Sequence, residues 1–192
     1  MAQTYSQMLA LDTEAPDFSL PDADGRVWSL QEADGADAYL VMFICNHCPF
    51  VKHVRRELAQ LGKDYMQRNV AVFAINSNDF DAHPDDSPPK MKEEAARWGY
   101  TFPYLIDRDQ NVARAFRAAC TPDFYVFNGD RRLVYRGQLD DSRPSNDKPV
   151  TGRDVRAALD AVLDGRPVRE GQTPSIGCNI KWRPGNAPDW FG

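Results

Sequence analysis

Apolar positions change their period several times along the chain, and each change marks an element. Residues 38–44 form a continuous apolar run, the pattern of a strand buried on both faces. From Val51 onward, apolar residues recur at Val54, Leu58, Leu61 and Tyr65, with Lys52, Arg55, Arg56 and Glu57 between them. That stripe predicts an amphipathic helix. Residues 70–75 read as a second buried strand, so 38–75 makes one strand–helix–strand unit.

Upstream, short alternating runs on either side of Asp22-Ala23-Asp24-Gly25 predict a β-hairpin. Downstream, residues 76–89 are polar and hold three prolines, which predicts a loop. A helix over 91–98, a strand over 102–106 and a helix over 111–118 follow. Strands over 123–127 and 131–136 flank Asn128-Gly129, a strong hairpin signal. Val155, Leu159, Val162 and Leu163 mark a last helix, ended by Gly165 and Pro167. The tail, 166–192, is rich in Pro and Gly but carries Ile176, Trp182, Trp190 and Phe191. That aromatic content predicts a tail packed on the body.

Composition narrows the classes. A chain of 192 residues fits one domain with a core of its own, about 15–165. The net charge of −5 and the lack of a Lys/Arg cluster give nucleic acid no electrostatic footprint. The longest apolar run, 39–45, is far below the roughly 20 residues of a membrane span. With no basic, apolar leader at residues 1–7, the expected location is cytoplasmic.

The four cysteines are too few for a disulfide scaffold, but Cys45 and Cys48 stand three apart. They fall where the first strand hands over to the helix. A free cysteine is only about 3% ionised at pH 7, and lowering its pKa to about 7 takes roughly 2 kcal/mol. A helix N-terminus supplies up to about 2 kcal/mol in favourable geometry, and a protonated His47 adds charge of the right sign. Cys45 is therefore the expected nucleophile and Cys48 the expected resolving thiol. His47 also predicts a more oxidising pair than one without a neighbouring imidazole. Pro49 suits the first helical turn. Two other readings of the pair are a half zinc site, completed from Cys120, Cys178, His53 or His83, and a coincidental buried pair. Haem is rejected, because Pro49 stands where a c-type haem needs histidine.

Cys45-Asn46-His47-Cys48 with the later Thr121-Pro122 resembles the thioredoxin superfamily. Within it, Ala15-Pro16-Asp17-Phe18, the Asp-Gly hairpin and the extra helix after the second core strand resemble one branch. That branch holds the peroxiredoxin-like alkyl hydroperoxide reductase/thiol-specific antioxidant proteins and the bacterial thiol–disulfide oxidoreductases. The resemblance implies an α/β fold with a central mixed sheet flanked by helices. It also implies a cis Pro122, with the Thr121 main chain pairing an extended substrate segment. The implied activity is thiol–disulfide exchange with a protein or small-molecule disulfide or dithiol and a reductant, without cofactor or bound metal. A thiol-dependent peroxidase and a non-catalytic, metal-stabilised or interaction domain are the alternatives. The peroxidase signature Pro-x-x-x-Thr/Ser-x-x-Cys is broken here: Val41 and Cys45 fill the Pro and Thr positions ahead of Cys48. Cys120 and Cys178 read first as small buried side chains. The functional alternative for Cys178 is a resolving thiol on the docked tail.

Overall fold

The computed structural model describes residues 3–191. Five strands make the main sheet: β4 (Ala38–Phe43), β5 (Val70–Asn76), β6 (Tyr104–Ile106), β8 (Asp123–Asn128) and β9 (Leu133–Gly137). Their order is β6-β5-β4-β8-β9. β4, β5 and β6 are parallel, β8 runs against β4, and β9 runs against β8 and so along β4. β4 lies at the centre, which is why its run of apolar residues is unbroken. Leu40 and Met42 face one core, while Tyr39, Val41 and Phe43 face the other.

The first core is closed by α1 (Pro49–Met66), α2 (Pro88–Trp98) and α4 (Arg153–Leu163). α1 contributes Val51, Val54, Leu58, Leu61 and Tyr65, the predicted stripe, and α4 contributes Val155, Ala158 and Leu159. The second core is closed by α3 (Asn111–Phe116) and the segment around the hairpin of β2 (Ser19–Pro21) and β3 (Val27–Ser29). There Phe116 packs edge-on against Phe43, Tyr125 and Phe127. The result is a mixed sheet with helices on both faces, as the resemblance implied.

β6 starts at Tyr104 where 102 was expected, and three further boundaries differ from expectation for local reasons. α2 begins at Pro88, inside the predicted loop, because prolines are tolerated in a first helical turn. α3 stops at Phe116, where Arg117 takes a left-handed conformation, φ 52°. At Asn128-Gly129 the chain does turn, but Arg131, φ 58°, is the left-handed residue and β9 starts only at Leu133.

A second sheet has no counterpart in the sequence pattern. β1 (Gln3–Tyr5), β10 (Ile176–Asn179) and β7 (Cys120–Thr121) pair antiparallel in the order β1-β10-β7. The tail is therefore docked, and it is docked as a strand. Beyond it, Trp182 packs edge-on against Trp190 and Phe191. Among the described residues no helix is long and apolar enough to cross a membrane.

Candidate active site

Cys45 and Cys48 lie between the end of β4 and the start of α1, with Cys48 in the position that caps the helix and Pro49 in its first turn. All four cysteines are reduced. Cys45 is 1% exposed and Cys48 fully buried, so neither thiol meets solvent in this conformation. The two sit in the same buried cluster. Cys45 Sγ also lies 3.3 Å from Thr121 Oγ1, and Cys48 Sγ lies 3.2 Å from the Thr121 carbonyl oxygen. The Thr121–Pro122 peptide is cis. Residues 76 positions apart in sequence thus meet at one point.

The turn between the two cysteines is held by a residue outside the pair. Asp86 is fully buried, in the segment between β5 and α2. Its Oδ1 accepts the Asn46 N–H at 2.8 Å and the His47 N–H at 3.3 Å. Its Oδ2 lies 2.6 Å from His47 Nδ1 and accepts Asn78 Nδ2–H at 2.8 Å. Burial alone would raise its pKa, but the hydrogen bonds from His47, Asn78 and the Asn46 amide outweigh it and hold the carboxyl below its ordinary value. His47 is therefore not a lone cation beside the thiols. Its Nδ1 faces a carboxylate, and its ring stacks on His83 at 5.4 Å between centroids. The physical basis for an unusually oxidising pair is weakened accordingly.

Asn46 is tied down on its other side. Its Nδ2 donates to the Asp85 carbonyl at 2.9 Å, and its Oδ1 accepts the Tyr104 hydroxyl at 3.0 Å. Tyr104→Phe is expected to cost about 1 kcal/mol in urea unfolding, the net value of one neutral hydrogen bond. Alkylation of Cys45 should quicken in the same variant as the loop loosens. An unchanged unfolding curve would show that this bond contributes nothing.

β10 closes the opposite side. Cys178 stands opposite Thr121 in the β7–β10 register, and its side chain joins Cys45 and Cys48 in one buried cluster. The close approach depends on Gly177: a Cβ there would fall 2.0 Å from the Thr121 carbonyl oxygen. The main chain expected to receive an extended substrate segment at Thr121 is thus paired with a strand of the chain itself.

Charge falls unevenly on the thiols. Burial pushes Cys45 well above the usual cysteine range, and its hydrogen bond to Cys48 and the Asp86 carboxylate push the same way. Hydrogen bonds from Cys178 and Cys45, with the Val51 and Cys178 amides, pull Cys48 down. The Thr121 carbonyl works against this, since it accepts only from a thiol. The balance makes Cys48 the more acidic partner. When the pair loses one proton, the one that remains sits on Cys45, the reverse of the order expected from the sequence.

Asp86, Asn78, Tyr104 and Cys178 join the predicted Cys45, His47, Cys48, Thr121 and Pro122 at this point. Of the other residues singled out, His53 Nε2 lies 2.7 Å from Ser142 Oγ. Cys120 is buried in β7, its Sγ 3.8 Å from the Pro122 carbonyl oxygen. Among the described residues, one group brings metal-ligating atoms within 4.8 Å of one another: Cys45, His47 and Asp86. Cys48 and the further ligands considered for a half zinc site, Cys120, Cys178, His53 and His83, lie outside it. Both Asp86 oxygens are already taken up by the Asn46, His47 and Asn78 donors.

The chain is similar to known proteins over most of its length. Over 142 residues the chain is 28% identical to the thiol-disulfide oxidoreductase ResA of Geobacillus thermodenitrificans, covering 71% of this chain and 75% of that one. An uncharacterized conserved protein from Geobacillus kaustophilus superposes with a TM-score of 0.94 at 57% identity, over 96% of this chain and 98% of that one. A thioredoxin-family thiol:disulfide interchange protein from Chlorobium tepidum superposes with a TM-score of 0.62 at 21% identity, over 80% of this chain and 98% of its own, a likeness of fold. The model of the AhpC/TSA family matches residues 11–136, which contain the cysteine pair and Thr121–Pro122. The fold is thioredoxin-like, and the chain belongs to the AhpC/TSA family.

Proposed function

We propose that this chain is a thiol–disulfide oxidoreductase in which Cys45 and Cys48 cycle between dithiol and disulfide. The observation that carries the reading is the buried cysteine pair at the junction of β4 and α1, with both thiols against the Thr121–Pro122 loop. Its relatives named as thiol-disulfide oxidoreductases support it.

Once the pair has lost one proton, the remaining proton sits on Cys45 and the charge on Cys48. Moving that proton to Cys48 makes Cys45 the attacking thiolate, and the Thr121 hydroxyl at 3.3 Å is placed to donate to it. Cys45 then attacks one sulfur of a substrate disulfide and releases the other as a thiol. Cys48 attacks the mixed disulfide at Cys45, which releases the second substrate thiol and leaves Cys45–Cys48 oxidised. A reductant, itself a dithiol, restores the pair. A protein or small-molecule disulfide meets this chemistry, provided the segments that bury both sulfurs move aside.

The family match favours a second reading, a thiol-dependent peroxidase. One assay separates the two. Full-length protein with dithiothreitol is given insulin in one vessel and hydrogen peroxide in another. Insulin reduction above the dithiothreitol background, without accelerated loss of peroxide, is the expected result. Peroxide consumption with no gain on insulin would replace the oxidoreductase reading by the peroxidase.

A further inference from the structure

The Cys45–Cys48 pair accounts for two of three sulfurs gathered at this site. The third is Cys178, and its placement is built rather than incidental. β10 is clamped between β1 and β7, with Gln3 and Thr121 flanking Cys178 in register. Gly177 lets the strand sit against the Thr121 carbonyl, where any side chain would collide with main-chain atoms. Ser175 fixes the same strand from its N-terminal side: its Oγ donates to the Pro122 carbonyl at 2.7 Å, and its N–H donates to Ser6 Oγ at 2.9 Å. The strand therefore presents a cysteine to the Thr121–Pro122 loop in the manner of an extended substrate. Cys45, Cys48 and Cys178 share one buried cluster, and the Thr121 carbonyl that lies 3.2 Å from Cys48 Sγ belongs to the residue paired with Cys178.

We propose that Cys178 is a third redox residue, which takes over the disulfide by attacking Cys48. The proposal rests on the oxidoreductase reading above, since the Cys45–Cys48 disulfide is its starting point. In the step, the Cys178 sulfur bonds to Cys48 Sγ and the Cys45–Cys48 bond breaks. The proton lost by Cys178 ends on Cys45. One disulfide is consumed and one formed, so no outside oxidant or reductant enters. The exchange returns Cys45 to the thiol form while the protein stays oxidised. It also moves the disulfide from the β4–α1 junction onto β10.

Peptide mapping tests this directly. Cys45 and Cys48 share the tryptic peptide 27–52, whereas Cys178 lies in 170–181. The reduced full chain is oxidised with one equivalent of diamide, blocked with N-ethylmaleimide, digested without reduction and weighed by mass spectrometry. In the wild type, a disulfide within 27–52 should appear first. A joined 27–52/170–181 species with Cys45 alkylated should then grow to a comparable share. Cys45→Ser should yield the joined species as its main oxidised form, and Cys48→Ser should lose it. A wild type oxidised only within 27–52, with Cys178 alkylated throughout and no joined species in Cys45→Ser, overturns the proposal and leaves the Cys45–Cys48 reading standing. Insulin reduction undiminished by Cys45→Ser would instead overturn that underlying reading, whatever the peptide map.

Discussion

Replacing Cys45 with serine is expected to bring insulin reduction down to the uncatalysed background, a loss on the order of a thousandfold or more. The side chains differ by one atom, and Cys45 sits in a well-filled site, so the fold should survive. What disappears is the nucleophile: a serine hydroxyl stays protonated near neutral pH, whereas a thiol can be ionised by its surroundings. Cys48→Ser is expected to fail differently. Its Cys45 can still attack, but no thiol remains to release the product, so mixed disulfides should accumulate on Cys45. Expressed in cells, that variant would capture the physiological partners covalently. Partners caught instead on Cys48 in the Cys45→Ser protein would exchange the two roles. That outcome has a physical basis to watch for, because Cys48 is the more acidic of the pair at rest.

The second large effect concerns Asp123, which follows the Thr121–Pro122 loop. It is fully buried, accepts the Ser6 hydroxyl at 2.6 Å and the Tyr125 hydroxyl at 3.0 Å, and has Cys120 as a neighbour. Burial pushes its pKa up to about 7, against the lowering effect of those hydrogen bonds. In the unfolded chain the same carboxyl titrates near its ordinary value of 3.8. Between these values the folded state keeps a proton that the unfolded state has lost, so stability falls as pH rises. The contribution is fully present below about pH 4, declines through pH 7 and is flat above. Integrated over that window it amounts to about 4 kcal/mol. Asp123→Asn keeps the shape and an acceptor oxygen but cannot ionise. Its unfolding free energy in urea should therefore fall far less between pH 5 and pH 8 than that of the wild type. At pH 8 it should be the more stable protein. Asp107, also buried with a raised pKa, leaves a smaller slope of the same sign in both proteins. Parallel pH profiles for the two proteins would show that Asp123 is not the titrating group.

The pattern of the chain disclosed the main sheet because its central strand is buried on both faces. A run such as Ala38–Phe43 fits a central strand far better than a loop. The cysteine pair was legible for a related reason: the helical stripe starts at Val51, so the preceding residues had to be the strand–helix junction. The second sheet was hidden. β1 is Gln-Thr-Tyr, β7 is two residues long and β10 is Ile-Gly-Cys-Asn, none of which alternates. Their pairing joins opposite ends of the chain, and no local pattern carries that information. The aromatic tail signalled docking, though not the register that sets Cys178 opposite Thr121. Asp86 escaped for another reason. In Pro84-Asp85-Asp86-Ser87-Pro88 it looks like any acidic residue of a solvated loop. Only the folding back of that loop turns it into the acceptor that shapes the Asn46-His47 turn.

The first strand has a practical consequence. β1 is paired directly to the strand that carries Cys178, with Gln3 as the residue opposite it. Any polypeptide fused ahead of Gln3 would leave the fold one strand spacing from a sulfur of the redox cluster.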